Sequence, residues 1–489
     1  TPPPRPEALT HRPAALATPE AIARLLARDG ATTLVEAAET LRPAEESCRF
    51  LGRVPWPPLA CLAGLALLAA ALVPVALLAG LVALAFTGLM ASLVLKTLAL
   101  WHLLTRPRPA PRRQAKAPLD RTPRITLLLP LLNEPEVAAK LIESIEALRC
   151  PRHRLEVLIL VEADDPITRS ALDALRLPPW CRRLDVPEGT IRTKPRAMNF
   201  ALPFVTGEIV GIYDAEDRPE ADQLLKVAGA FATAPPEVAA LQGRLDFFNP
   251  RATLIGRCFA LDYAGWFNGL LPALSRLGLP VPLGGTTVFL RRAVLDAVQG
   301  WDAHNVTEDA ELGLRLRLKG YRVEMLESTT FEEVNGLPVS WVRQRARWFK
   351  GYLVTWVTLM RRPGATLRAL GPGGFLLLQA LVPVTILNAL MMPLLLVFLA
   401  LMVGGAVPGL AALPGWVGPA ALAMLTLSQV VSWSTFALAT ADRAHRWLWP
   451  CIPALVFYFA LSTPAAVIAA WQGLRAPFYW AKTRHGVFD

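Results

Sequence analysis

Three short clusters carry the residue types that chemistry needs. Asp214-Ala215-Glu216-Asp217 places three acids within four residues. Asp214 and Glu216 have the spacing of a pair able to share one hard cation at a turn, and Asp217 is a further candidate ligand. Mg²⁺ or Mn²⁺ suits such oxygen ligands. Thr307-Glu308-Asp309 is the second cluster. Locally, Thr307 can cap a helix that starts at Glu308 and ends before Gly320, so that the acids answer the helix dipole. The third is Gln344-Arg345-Ala346-Arg347-Trp348. On a helix Gln344, Arg347 and Trp348 stand at i, i+3 and i+4 and share a face. That face offers a guanidinium for bidentate contact with a diphosphate and an indole for the apolar side of a sugar ring. The competing reading is an interfacial helix with Trp at headgroup depth and Arg towards water.

Such residues need a scaffold, and the pattern from Arg124 onward is α/β. Ile125 to Pro130 reads as a short buried strand and Glu136 to Leu148 as a helix. Glu156 to Val161 is the next strand, ending at Glu162-Ala163-Asp164-Asp165, and Glu208 to Tyr213 is another, ending at Asp214. Alternation of this kind predicts a parallel sheet, whose ligands bind at the carboxyl ends of the strands. Both acidic clusters sit at such ends. Thr253 to Leu277 is amphipathic and fits a second interfacial helix. Upstream, Thr18-Pro19-Glu20 starts one helix, and a second runs from Thr33 to Leu41; together they predict a small helical appendage.

The chain has 489 residues, of which 53% are hydrophobic and only 18% charged, with a mean hydropathy of +0.38. This excludes an ordinary soluble protein and fits a membrane protein with one sizeable polar domain. The net charge of +11 crowds beside apolar runs, at Arg106 to Lys116 and Arg343 to Lys350, so anionic lipid explains it better than nucleic acid, and no nucleic-acid partner is expected. The six cysteines form no C-x-x-C pair and no zinc spacing, and all are expected to be reduced thiols. Thr1 to Arg12 is Pro-rich without the apolar core of a signal peptide. Spans are predicted near 58–77 and 80–103, from about Leu387 to Val403, and over Trp416 to Leu438. Trp447 to Trp471, interrupted by Ser462-Thr463-Pro464, is predicted to be a broken re-entrant hairpin, which leaves four crossings, with six as the alternative. Basic flanks place both termini and the polar domain in the cytoplasm, against the inner membrane of a bacterium. The expected division is 1–50, a helical extension; 51–105, two spans; 106–362, the polar domain; and 363–489, the remaining spans and a basic tail.

The order of an acidic strand-end motif, Thr307-Glu308-Asp309 and then Gln344-x-x-Arg347-Trp348 resembles that of the processive, membrane-integrated glycosyltransferases of family 2, among them cellulose, hyaluronan and mixed-linkage glucan synthases. The resemblance runs from about Arg124 to about Trp356. It implies a GT-A domain, α/β with a mostly parallel sheet, inserted between transmembrane helices. It also implies an inverting enzyme that polymerises a β-linked glycan, with UDP-glucose the leading donor, and passes the growing chain across the bilayer. In that case Asp309, with Glu308 and Thr307 in its motif, is the general base. Asp214 lies at the donor diphosphate and its metal, with Glu216 where the family's motif has a second Asp. One of Asp164 and Asp165 meets the uracil or ribose, and Asn133 and Glu134 fit the same pocket. Lys194, in Thr193-Lys194-Pro195-Arg196-Ala197-Met198-Asn199, resembles the basic loop near the donor phosphates. Gln344 and Arg347 face the diphosphate and Trp348 the acceptor sugar, with Gly285 and Thr286 on the acceptor side. Two other readings stay open. One is a non-processive membrane glycosyltransferase with a lipid acceptor. The other is an inactive scaffold subunit of a polysaccharide secretion complex. A secretion or regulatory subunit is a candidate partner.

Overall fold

In the computed structural model, β1 (Ile125–Leu131) and β2 (Leu155–Glu162) are buried along almost their whole length, as central strands covered on both faces must be. They join β3 (Cys181–Val186), β4 (Ile209–Ile212), β5 (Arg218–Pro219), β6 (Val238–Phe247), β7 (Val288–Arg291) and β8 (Arg322–Glu332) in one sheet of order β3-β2-β1-β4-β7-β6-β8-β5. β1 to β4 are mutually parallel, β7 runs antiparallel between β4 and β6, and β6 pairs in parallel with β8. The result is the mostly parallel GT-A arrangement. The structure describes residues 31–52, 71–105, 122–134, 138–403 and 417–479, with isolated positions between them.

Alternation along the strands divides the core in two. Leu128, Leu158, Leu160 and Ile212 face Met198 and Phe200, whereas Leu127, Leu129, Val157 and Ile159 face Leu141, Ile145 and Leu224. Burying each such side chain contributes about 1.5–3 kcal/mol. The helix over Leu254–Ala264 continues through a π-helical segment, Gly265–Leu270, into Leu271–Arg276. It buries Phe259, Phe267 and Leu274 beside the sheet instead of resting only on a bilayer surface.

Among the described residues four helical stretches are long and apolar enough to cross a membrane: Gly80–Thr105, Pro363–Val397, Gly418–Ala439 and Arg446–Arg475. The expected span near 58–77 and the helix from Thr18 lie largely outside the described residues. Two details bear on the expected spans. A kink after the polar domain comes at Gly371, whose φ of 68° only glycine tolerates readily, with Pro372 after it, ahead of the span expected from about Leu387. The stretch from Arg446 also runs on past Ser462-Thr463-Pro464. It goes from a 3₁₀ helix over Arg446–Ala454 through Leu455–Ala460 into Ser462–Arg475, and Pro464 is accommodated in the first turn of that last helix, where it displaces no hydrogen bond.

Residues 31–52 are woven into the sheet domain. Glu39, on the helix Ala31–Thr40, accepts the Thr190 N–H at 2.7 Å, the Thr190 hydroxyl at 2.5 Å and the Ile191 N–H at 3.3 Å. Ser47 and the Cys48 N–H both bind the Asp302 carboxylate at 2.8 Å. On the membrane side, His445 bridges Asp246, at the end of β6, to Asp442, each at 2.8 Å.

Candidate active site

Three strands running the same way bring acids to one edge of the sheet. Glu162 ends β2, Asp214 follows β4, and Glu332 ends β8. These residues line a single pocket together with Glu134, Lys194, Glu216, Gly285 and the cluster Thr307, Glu308 and Asp309. Gln344, Arg347 and Trp348 complete its wall. The helical spacing anticipated for the last three holds, on a helix over Pro338–Leu359.

Lys194 is the electrostatic centre of the pocket. Its ammonium donates to Asp214 at 2.5 Å and to the Gly285 carbonyl at 2.9 Å. Burial works against its charge, but Asp214 and Glu308 outweigh burial and hold its pKa above the ordinary lysine value. Thr193 sets this lysine by capping the helix Lys194–Ala201, accepting the Arg196 N–H while donating to the Ala303 carbonyl at 2.7 Å. Asn199, on the same helix, joins the Ala38 and Trp301 carbonyls at 3.0 and 2.9 Å. The KPRAMN stretch is thus the joint between the amino-terminal segment, Asp214 and Gly300-Trp301-Asp302.

Asp309 stands over Gly285. That glycine has φ 86°, which side-chain-bearing residues rarely adopt, and a Cβ on it would come within 3.0 Å of the Asp309 carboxylate. Burial pushes Asp309 above the usual aspartate value. Burial, and then Asp309 itself, pushes Glu308 up to about 8 against the pull of Lys194. Thr307 does not cap its helix with its side chain. Its N–H instead meets the Asn305 side chain at 3.0 Å, and Gly351 on the motif helix packs so tightly on Thr307 that a Cβ there would overlap its hydroxyl.

Other expected site residues lie outside the pocket wall. Asp217 is 1% exposed; it receives the Asp214 N–H at 2.7 Å and the Thr286 hydroxyl, so both Asp217 and Thr286 build the turn behind Asp214. Asp165 caps the helix Pro166–Asp173 and also receives the Asn133 N–H at 2.6 Å. Burial would raise its pKa, but the bonds from Thr168 and Asn133 hold it below the usual range. Asn133 takes a left-handed φ of 49° to reach it. Asp164 instead pairs with Arg192, a pocket residue, at the mouth.

Glu332 and Tyr263 were not anticipated from sequence. The rule that located Asp214, an acid at a strand's carboxyl end, would have found Glu332 had β8 been recognised. Tyr263 sits on the amphipathic helix, stacked 6.4 Å from Trp348. Burial, and then Asp217, Glu216 and Asp214, lifts Glu332 well above the carboxylate range.

This excess of buried negative charge fits a hard divalent cation. Among the described residues no three carboxylate, imidazole or thiol groups converge on one point. Asp214 and Glu216 are the two acids of their turn that line the pocket, and oxygen groups of this kind suit Mg²⁺ or Mn²⁺.

The motif helix also looks the other way. Arg345 binds Asp262 at 2.5 Å and the Tyr458 hydroxyl at 3.1 Å, and its guanidinium lies 4.8 Å from the Trp348 ring centre. Lys350, fully buried, donates to the carbonyls of Ala476 and Tyr479 just after the last helix; burial, then Arg347, lowers its pKa to about 8.

Two curated relatives and one solved structure are similar to this chain. β-Monoglucosyldiacylglycerol synthase of Synechocystis is 30% identical over 281 residues, 56% of this chain and 57% of that protein. A probable glucomannan 4-β-mannosyltransferase of Arabidopsis thaliana is 28% identical over 246 residues, 47% of this chain and 43% of that one. The mannosyltransferase PcManGT of Pyrobaculum calidifontis, solved with GDP-mannose and Mn²⁺, aligns at 21% identity with a TM-score of 0.49, covering 81% of this chain and 99% of that one. The chain spans only about three fifths of the length of the glucolipid synthases it matches. The model of glycosyl transferase family group 2 matches residues 209–461, just over half of the sequence and the whole stretch from β4 through the motif helix into the last apolar helices. The protein belongs to this family.

Proposed function

We propose that the enzyme transfers one sugar, with inversion, from a nucleoside diphosphate sugar to the hydroxyl of a membrane lipid. The observation that carries this reading is the meeting of two cavities at Asp309. The acidic pocket holds Lys194, Asp214, Glu216 and Arg347. A second, apolar cavity shares Asp309, Trp348, Tyr263, Thr307 and Gly284 with it and extends to residues of the membrane helices, Leu95 and Ile386 among them. The first is suited to a diphosphate, the second to hydrocarbon.

In the reaction, Asp309 takes the proton of the acceptor hydroxyl as its oxygen bonds to the anomeric carbon. The bond from that carbon to the diphosphate oxygen breaks, and its electron pair leaves with the diphosphate. Attack from the face opposite the nucleotide inverts the configuration. Arg347 and Lys194 hold the diphosphate, Gln344 orients it, and Asp164 with Arg192 meets the nucleoside. Asp214 and Glu216 would hold Mg²⁺ or Mn²⁺, which supplies charge neutralisation for the departing diphosphate. The likeness to glucolipid synthases supports a lipid acceptor and a β-linked product.

Processive polymerisation of a β-glycan from UDP-glucose is the second reading, supported by Gln344, Arg347 and Trp348 on one pocket wall. Purified protein given UDP-glucose or GDP-mannose together with diacylglycerol separates the two. An organic-soluble product bearing one sugar is expected; a water-soluble glycan of many units, with no glycolipid, would overturn the lipid reading.

A further inference from the structure

The apolar cavity has walls unlike the rest of the helical part. Two π-helical segments line it: Gly265–Leu270, through Trp266, Phe267 and Leu270, and Ala380–Val384, through Leu381 and Val382. π-Helical turns are rare and are frequently found at functional sites. Here they belong to different elements, one buried beside the sheet and one inside the stretch Pro363–Val397. Pro383, inside the second, lacks an N–H, and the Thr385 hydroxyl reaches back to the Ala380 carbonyl at 3.2 Å. The cavity also reaches a surface. Its lining includes Thr385, which is exposed, and the half-buried Leu95 of the span Gly80–Thr105.

We infer that this cavity is an acyl-chain site opening sideways into the bilayer between the spans Gly80–Thr105 and Pro363–Val397, with its mouth at Thr385 and its inner end at Asp309. The inference rests on the lipid-acceptor reading and adds to it the place where the lipid lies and the route by which it arrives. Position and chemistry select the occupant. The passage from Thr385 past Ile386 and Val382 offers almost no hydrogen-bonding groups, so a hydrated glycan would shed its water there without return, whereas a hydrocarbon chain would leave one apolar phase for another. The polar groups lie at the inner end: Asp309, Thr307 and the Asp262–Arg345 pair. A lipid entering at Thr385 would therefore bring its hydroxyl to Asp309 while its chain remained between Phe267 and Leu381. Sideways entry also means that the acceptor never has to leave the membrane.

The test uses the full chain in lipid nanodiscs with a diacylglycerol carrying a photoactivatable diazirine near the end of one acyl chain. After irradiation, labelled peptides are mapped by mass spectrometry, with and without excess unlabelled diacylglycerol. Label within 265–270 and 380–386 that the competitor removes is expected. Ile386→Trp, which fills the passage, should remove that label, raise the acceptor KM about tenfold and leave the donor KM unchanged. If Ile386→Trp does not fold, Thr385→Trp at the exposed mouth replaces it with the same expectation. Label confined to outward positions such as Leu376 and Val397, or an unchanged acceptor KM in the folded variant, would overturn the proposal. A wild-type enzyme that makes polymer and no glycolipid would sink the lipid reading itself, a result distinct from glycolipid formation that ignores the filled passage.

Discussion

To serve as the proposed base, Asp309 has to be ionised, yet it is half-buried in one pocket with Glu308, Asp214 and Lys194. Burial lifts its pKa above the ordinary aspartate value, so the activity should fall on the acid side at a higher pH than a solvated aspartate would give. Below that point the base is protonated and idle; above it the base is available. Asp309→Asn should lower kcat by about 10²–10⁴ while the donor still binds, as measured by titration calorimetry with the nucleoside diphosphate. Near-normal turnover would remove Asp309 from the reaction. Arg347 and Trp348 should divide along the two cavities. Arg347→Ala is expected to weaken donor binding by about 2 kcal/mol or more, the scale of a lost charge-assisted contact. Trp348→Ala should act mainly on the acceptor KM. Equal effects of both variants on donor and acceptor would show that the shared wall is one unit.

At the scale of elements, the helix Ala31–Thr40 reaches the chemistry without touching it. Glu39 holds the loop at Thr190 and Ile191, and that loop leads directly into Arg192, Thr193 and Lys194. Glu39→Gln keeps the shape but loses the charge on these hydrogen bonds. The donor KM should rise about tenfold, equivalent to ~1.4 kcal/mol, with kcat changed less and the melting temperature nearly unchanged. A loss of stability with no change in donor KM would make the helix a strut only. The sequence identified this helix but not its contacts, because a contact between residues 39 and 190 leaves no mark in local periodicity. The same limit applies elsewhere. Continuous apolar runs made β1, β2 and β4 readable, and helical spacing put Gln344, Arg347 and Trp348 on one face. β8 escaped notice because it is edged by polar residues and only partly buried, and Glu332 escaped with it. Nor could spacing separate Asp214 and Glu216, which face the pocket, from Asp217, which the turn folds underneath.

For the whole molecule, the question is how the sheet domain stays registered with its membrane helices. One tie is His445, which spans Asp246 on β6 and Asp442 after the helix Val417–Ala439. Hydrogen bonding to Asp246, then the charges of Asp246 and Asp442, outweighs burial and raises His445 to about 9. With a folded value above the unfolded one, its contribution is complete below about pH 6.5 and is lost as pH rises through about 9. The wild type should therefore lose thermal stability between pH 7 and pH 10 more steeply than His445→Ala, measured in the same detergent. Parallel pH curves for the two proteins would show that the tie contributes nothing.

Lys350 has a practical consequence. Its buried ammonium is satisfied by the carbonyls of Ala476 and Tyr479, two residues along the motif helix from Trp348. Shortening the chain to Arg475 would leave a cation without acceptors beneath the wall formed by Arg347 and Trp348, a cost of several kcal/mol unless the lysine gives up its proton. Affinity tags and fluorescent reporters should accordingly be joined after Tyr479, and a protease that trims the tail further should silence the enzyme without touching its active site.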